Sequence, residues 1–302
     1  MSTTRAVPLG ALAAAVLAGS IGDATPERAR PLTLGGYQVL AADFHVHSSM
    51  WSDGAVTPWG IVLQAKRDGL DAIAFTGHNQ IWDGKAVRRF SALVDGPTVI
   101  PGQEILSPGY HIIAVGTDTV IEGGHSAASL ISEVHRQGGI AIAAHPFREM
   151  WAGFDDAAMK TLDGAEICHP MIYALDHAQP ELEQFAARGR FSAIGSSDFH
   201  GVGRLGLCRT YVFARDATAE AILDAIRARR TVVYGRGGKA YGEPSLVQLA
   251  EQHPRLREAA TVDVPAGPLA WTSRVAGVLG LLGLVLTGPP QRLRRARQPM
   301  RP

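Results

Sequence analysis

Nine side chains able to bind metal ions punctuate the sequence: His45, His47, Asp53, His78, Glu104, His111, His145, Asp198 and His200. Imidazole suits zinc and iron, while carboxylates extend the range to manganese and supply the negative charge that holds several divalent cations close together. His45 and His47 are two residues apart, so on an extended strand they project from one face and can grip one ion jointly. The set is large enough for a centre of two or three ions, with Zn, Mn or Fe as the candidates. Such a cluster binds phosphate oxygens, lowers the pKa of water and stabilises a departing oxygen, with no protein nucleophile required.

Residues so dispersed must be delivered by elements that converge. Each lies in or beside a short apolar run, as Val39-Leu40-Ala41-Ala42 precedes Asp43-Phe44-His45-Val46-His47. Between Tyr37 and Gly238 such runs alternate with amphipathic segments, the pattern of a βα repeat. Strands are expected over 39–44, 72–76, 98–101, 112–115, 140–144, 164–168, 192–195 and 211–213, and helices near 58–67, 85–93, 126–137, 155–161, 179–188 and 219–229. Thr57 and Pro58 form a helix start, a capping hydroxyl just ahead of a first-turn proline. Over 126–137, Leu130, Ile131 and Val134 share one face, which leaves His135 on the surface or in packing; His125, His177 and His253 are set aside as loop or helix histidines. Strands of an α/β barrel bring their C-terminal ends to one face, where the nine would meet.

The segments Asp43-Phe44-His45-Val46-His47-Ser48, Ser52-Asp53-Gly54, Thr76-Gly77-His78-Asn79, Pro101-Gly102-Gln103-Glu104, His111-Ile112-Ile113, Ala144-His145-Pro146 and Ser197-Asp198-Phe199-His200 together resemble the PHP family, the polymerase and histidinol phosphatase superfamily of metal-dependent phosphoesterases. The resemblance spans Tyr37 to Gly238 and implies a distorted seven-stranded (β/α) barrel with a trinuclear centre on its C-terminal face. Carried over residue by residue, His45, His47, Glu104 and Asp198 bind one metal, Glu104 bridges to a second held by His111 and His145, and Asp53, His78 and His200 hold the third. The implied reaction is in-line hydrolysis of a phosphate ester by hydroxide formed on the ions, with Glu104 and Asp198 positioning them. One departure stands out: where the family commonly has Asp before the histidine, this chain has Gly77, so a contact that orients a ligand is missing.

Arg148, next after His145-Pro146-Phe147, and Arg204, beyond His200, are candidates to fork onto phosphate oxygens, each weighed against a solvated loop arginine. His169, at the end of the 165–168 strand, could touch substrate or donate a proton to the leaving group. The alternatives are a metal-binding module of this fold without turnover, or a metallohydrolase of amide bonds; the latter commonly employs a bridging modified lysine, and no strand-end Lys is visible. The substrate is expected to be a small phosphate ester, possibly nucleotide-like.

The 302 residues suffice for one α/β barrel with extensions. With 29 Lys and Arg against 28 Asp and Glu, the net charge of +1 marks no nucleic-acid surface, and no stable nucleic-acid partner is expected. Residues 1–36 are expected to hold a signal peptide or N-terminal anchor and a linker, since Arg5 precedes an Ala- and Leu-rich run ending near Ser20 with small residues after it. After the barrel at 37–238, a polar extension and linker over 239–268 leads to an apolar segment, 269–288, and a basic tail, 289–302. That segment reads as a transmembrane helix anchoring an exported barrel outside the cytoplasm, although Arg274 leaves an apolar run of only about 14 residues where about 20 span a bilayer. Cys168 and Cys208 read first as two small buried hydrophobes, with a single bridge in an oxidising compartment as the alternative.

Overall fold

The computed structural model describes residues 6–15 and 31–261, together with residues 272, 275, 276, 278–280, 282, 283 and 286. Contacts divide the chain into two units, Asp23–Val264 and Met1–Gly22 with Pro265–Pro302.

Among its described residues the larger unit holds eleven strands in one sheet: β1 (Leu32–Leu34), β2 (Tyr37–Val46), β3 (Ala72–Phe75), β4 (Thr98–Ser107), β5 (Tyr110–Val115), β6 (Ile140–Ala143), β7 (Gly164–Cys168), β8 (Ser192–Gly195), β9 (Thr210–Ala214), β10 (Thr231–Tyr234) and β11 (Ala240–Gly242). Ten of them follow the order β11-β10-β9-β2-β3-β4-β5-β6-β7-β8, with β1 paired to β2, in a nearly closed, barrel-like sheet. The expectation of seven strands is thereby corrected. β2-β3-β4 and β6-β7-β8 run parallel, but β5 is antiparallel to both of its neighbours, β4 and β6, and each successive pair along β2-β9-β10-β11 is antiparallel. β4 and β5 form a tight hairpin across Pro108 and Gly109, where Gly109 has φ +78°, and such a turn dispenses with a helical crossover.

Eight helices cover this sheet: α2 (Pro58–Arg67), α3 (Trp82–Leu93), α4 (Ala127–Arg136), α5 (Asp156–Thr161), α6 (Ala178–Ala186), α7 (Ala219–Arg227), α8 (Pro244–Glu251) and α9 (Pro254–Thr261), α1 being residues 6–15 of the other unit. The Thr57 hydroxyl accepts from Gly60 N at 3.2 Å with Pro58 opening α2, as the capping pattern predicts. In α4 the buried residues include Leu130, Ile131 and Val134, while His135 turns outward to Asp163 at 2.7 Å. The polar stretch after Gly238 supplies β11, α8 and α9 to the same unit, and Leu246, Ala250 and Ala260 join its core.

Apolar packing is split by the sheet. Leu40, Ala42 and Phe44 of β2 face Ile113, Ile142, Ile194 and Val212, with Ile222 and Ile226 of α7 in the same cluster. Val39, Ala41 and Val46 face the opposite way, against Ile61, Val62 and Ala65 of α2. Alternation therefore reverses between Phe44 and Val46, and the β2–β3 register shifts at that point. Such a bulge turns His45 and His47 to the inner side, which strict two-residue periodicity from Phe44 would have denied them.

Between β8 and β9 no ladder forms among the described residues. Gly195 N instead donates to Thr210 Oγ1 at 2.9 Å, and that hydroxyl donates to Gly195 O at 2.8 Å. A Cβ added at Gly195 would lie 2.0 Å from Cys208 O, so glycine alone permits this approach. Cys168 and Cys208 are joined by a disulfide with Cα atoms 5.3 Å apart, which fastens the end of β7 to the segment entering β9. Both are buried, as expected of small hydrophobes, but they are bridged, a correction that spacing alone could not supply because 40 residues separate them.

In the other unit, Gly280 and Gly283 approach α1 so closely that added Cβ atoms would lie 2.6 Å from Leu12 and 2.9 Å from Pro8. Of the transmembrane helix expected over 269–288, only residues 272, 275, 276, 278–280, 282, 283 and 286 are described and the rest lies outside the described residues, among which no helix is long and apolar enough to cross a membrane. Residues 1–5, 16–30, 262–271 and 287–302 lie outside the described residues, and with them most of the expected leader, the linker into the apolar segment and the basic tail.

Candidate metal centre

His45 lies near the end of β2 and His47 just past it, Glu104 lies within β4 and His111 within β5, His145 follows β6, and Asp198 and His200 follow β8. Backbone bonds continue the sheet past its named strands and fix these positions. His47 N donates to Phe199 O at 2.9 Å, Thr76 N to Val46 O at 3.0 Å, and Glu104 N to Thr76 O at 2.9 Å. Bridges pair Val46 with Phe199 and His78 with Glu104, so the ligand-bearing loops are laced to one another.

Glu104 lies at the middle. Its Oε2 is 3.3 Å from His45 Nε2, 3.4 Å from His47 Nε2 and 3.0 Å from His78 Nε2, while Oε1 is 2.8 Å from His111 Nδ1 and 3.1 Å from His145 Nε2. Asp198 Oδ1 closes a four-atom cage from the other side, 3.2 Å from His45 Nε2 and 3.4 Å from His47 Nε2. Edges of that length are what donor atoms show around an ion bonded at about 2.0–2.2 Å. Three groups have donor atoms within 4.8 Å of one another: His45, His47 and Asp198; His45, Glu104 and His145; and His47, Asp53, His78 and His200. All nine expected ligands thus converge, and Asp53, His78 and His200 meet as the resemblance implies, with His47 added to them.

A metal fits this donor set on independent grounds. His45 Nε2 and His47 Nε2 are buried without any hydrogen-bond partner, an expense that folded proteins avoid unless something else satisfies the atom. Asp198 at φ +45° and His145 at φ +26° hold left-handed backbone that non-glycine residues rarely adopt, and strain of this kind clusters at functional sites. Electrostatics agree. Burial alone would depress the His45 imidazole, but Asp198, Glu104 and Glu166 lift it well above the ordinary histidine value. His47 and His145 are raised as well, against their burial, chiefly by the carboxylates of Asp198 and Glu104 beside His47 and by that of Glu104 beside His145. Burial would push Glu104 and Asp198 up, yet His45 and its neighbours hold both far below the usual carboxylate range. A nest of carboxylates and imidazoles this interdependent is what divalent cations satisfy.

Three supporting residues escape a reading of ligand motifs. Glu166, fully buried in β7, lies 3.0 Å from His45 Nδ1 and accepts from His145 N, so it fixes two ligands. With Nε2 aimed into the cage, His45 Nδ1 carries the proton and donates it to Glu166, an arrangement typical of metal-bound histidine. Asp43, also fully buried, accepts from Ser197 N at 3.1 Å, Ser197 Oγ, Gly206 N at 2.9 Å and His45 N at 3.3 Å, and thereby anchors the segment carrying Asp198. The available signal was a carboxylate inside an apolar strand in each case. Ser52 is the third. Its Oγ donates to Asp53 Oδ1 at 2.9 Å and accepts from His78 N at 3.3 Å. A Cβ at Gly77 would lie 2.2 Å from Gln80 Nε2 and 2.7 Å from Ser52 Cβ, so these two side chains occupy the room that the family's aspartate would need.

Of the expected substrate contacts, His169 belongs to the cluster. Its Nδ1 accepts from Met171 N at 3.3 Å, which leaves Nε2 to donate to Asp198 Oδ2 at 3.3 Å. Arg148 is engaged by α6, donating to Gln184 Oε1 at 2.7 Å and lying 5.0 Å from the Trp151 ring centre. Arg204 donates to Ala259 O of α9 at 3.0 Å. A cavity of about 470 Å³ lined by Ile167, Arg190, Phe191, Tyr241 and Glu243 contains none of the nine ligands.

The comparisons with known proteins agree with this geometry. The PHP domain family matches residues 43–188, and the PHP-associated family matches residues 177–231. An uncharacterised protein of Methanocaldococcus jannaschii is 30% identical over 139 residues, 42% of this chain and 81% of the relative. The crystal structure of a two-domain protein from Bacteroides vulgatus, described as containing a predicted PHP-like metal-dependent phosphoesterase, superposes with a TM-score of 0.60 at 25% identity over 76% of this chain and 74% of that one. Sequence match, barrel and the convergence of histidines with carboxylates on its rim lead to one conclusion: this chain belongs to the PHP family of metal-dependent hydrolases.

Proposed function

We propose that the protein hydrolyses phosphate esters at a centre of two or three divalent ions. The observation that carries this reading is the cage of His45 Nε2, His47 Nε2, Glu104 Oε2 and Asp198 Oδ1, in which both imidazole nitrogens are buried and otherwise unpartnered. When bound, such ions neutralise phosphoryl oxygens and lower the pKa of water. Glu104 would hold more than one ion, because its two oxygens address His45, His47 and His78 on one side and His111 and His145 on the other. Asp198 is oriented from behind by the proton on His169 Nε2, and Glu166 does the same for His45. Zn, Mn and Fe all suit mixed imidazole and carboxylate donors.

The disulfide supports an oxidising compartment, and with it we propose that the barrel is exported. Elemental analysis of the purified chain, with turnover of a phosphomonoester, a phosphodiester and an amide on the same sample, tests the functional reading. Two or three ions per chain with cleavage of a phosphoester is the expected result. Bound ions with cleavage of the amide alone, or of nothing, would overturn it.

A further inference from the structure

We infer that the metal centre opens into an apolar rim that selects phosphoesters carrying an aromatic or alkyl group beside the phosphate; this rests on the phosphoesterase reading. Of the ten exposed large apolar side chains among the described residues of the Asp23–Val264 unit, six stand within four residues of an expected metal ligand or of His169. They are Met50, Trp51, Trp82, Met171, Tyr173 and Val202, with Met50 62%, Trp82 56% and Val202 88% exposed. Single exposed apolar residues are ordinary, whereas a gathering on the loops of one site marks a surface that expects an apolar partner.

The loops are held together. Ala55 N donates to His200 O at 2.8 Å, and a Cβ on Gly201 would press on Ala55 at 2.7 Å, so the turn bearing Met50 and Trp51 packs against the one bearing Val202. Ser52 Oγ accepts from His78 N, which joins the same turn to the segment leading into Trp82. Asp53, His78 and His200 sit on these three segments and form one of the three ligand groups with His47, so Trp51, Trp82 and Val202 are carried by the same segments as that group, each within four residues of one of its members. On the other flank the Phe147 ring lies 6.5 Å from that of His145, nearly parallel, and 5.7 Å from that of His169, edge to face, and Met171 and Tyr173 follow His169 in the chain. Of the nearby cations, Arg148 and Arg204 are committed to Gln184 and to Ala259 O, and Lys85 Nζ donates to Asp118 O while lying 5.8 Å from the centre of the Trp82 ring. The ions take the phosphate, and the rim contributes apolar contact to whatever the phosphate is attached to.

The test uses the full chain loaded with Mn²⁺ or Zn²⁺ and compares methyl, butyl, octyl and phenyl phosphate. Burying a butyl or phenyl group against the rim should raise kcat/KM by about tenfold or more over methyl phosphate, mainly through KM. In Trp51→Ser/Trp82→Ser, and separately in Val202→Ser, that ratio should contract toward one, with ion content and Tm measured to establish that each variant folds. A wild-type ratio near one, or a ratio unchanged in every folded variant, overturns the rim. If no phosphate ester is turned over although ions are bound, the phosphoesterase reading fails. Calorimetric binding of phenylphosphonate against methylphosphonate then reads the rim by itself, and equal affinities overturn it. Sedimentation with uncharged lipid vesicles that depends on Trp51 and Trp82, with no dependence on substrate chain length, assigns the surface to a bilayer and likewise overturns the proposal.

Discussion

Gly77 shows how a missing side chain can be answered by its neighbours. Ser52 Oγ stands within 2.8 Å of where a Cβ would emerge there, and it already bonds both Asp53 and His78. Ser52→Ala should therefore weaken one of the bound ions about tenfold, visible as a fall in metal stoichiometry when free metal is titrated down. Gly77→Asp, which restores the commoner residue, is expected to harm the site: the new side chain must displace Gln80 and Ser52, at a cost of about 1–3 kcal/mol seen as a lowered Tm. Retention of full stability and metal content in that variant would show that the two neighbours yield readily. At Glu166 the expected outcome is larger. Glu166→Gln removes the anion that holds the proton of His45 Nδ1, and metal affinity and turnover should fall about 10- to 100-fold with far-UV dichroism unchanged.

Elements place the ligands by departing from regularity. A bulge in β2 between Asp43 and Val46 carries His45 and His47 onto the inner side, and left-handed backbone at His145 and Asp198 aims those side chains back over the barrel end. The seam between β8 and β9 lacks a backbone ladder and is closed by Thr210 and by the Cys168–Cys208 disulfide. Cys168 precedes His169 directly, and the segment from Asp198 to Cys208 carries two ligands, so the covalent link ties the seam to the site. Closing a loop of 40 residues contributes about 4 kcal/mol in the chain-entropy account. The double variant Cys168→Ser/Cys208→Ser should show that loss in urea unfolding, with a metal affinity below that of wild type. Wild-type stability and metal binding in the double variant would mean that Thr210 alone suffices.

At the scale of the whole molecule, the site sets how stability depends on pH. His45, His47 and His145 have raised folded-state values, so in metal-free protein their contribution is fully present below about pH 6.5 and is lost as pH climbs through the raised values. Ions require neutral imidazoles, so the loaded protein has the opposite slope over the same range. The difference in Tm between metal-loaded and chelator-treated samples should therefore widen as pH rises through and above neutrality and shrink toward pH 5.5. A constant difference would show that protons and ions do not compete for these histidines.

The residues that converge at the site, the αβ alternation, the α2 cap and the buried face of α4 were legible from residue types and spacing, because side-chain chemistry and periodicity are local properties. Gly77 was legible as a departure, but its answer by Ser52 was not, since the two are 25 positions apart and touch only after folding. Asp43 and Glu166 were visible as carboxylates in apolar strands, without any sign of which histidine or amide each would serve. Strand number and direction, the disulfide and the inward turn of His45 and His47 were decided by tertiary structure alone. Each depends on which segments lie side by side in the sheet, and pairing between distant segments leaves no mark in the spacing of residues along either one.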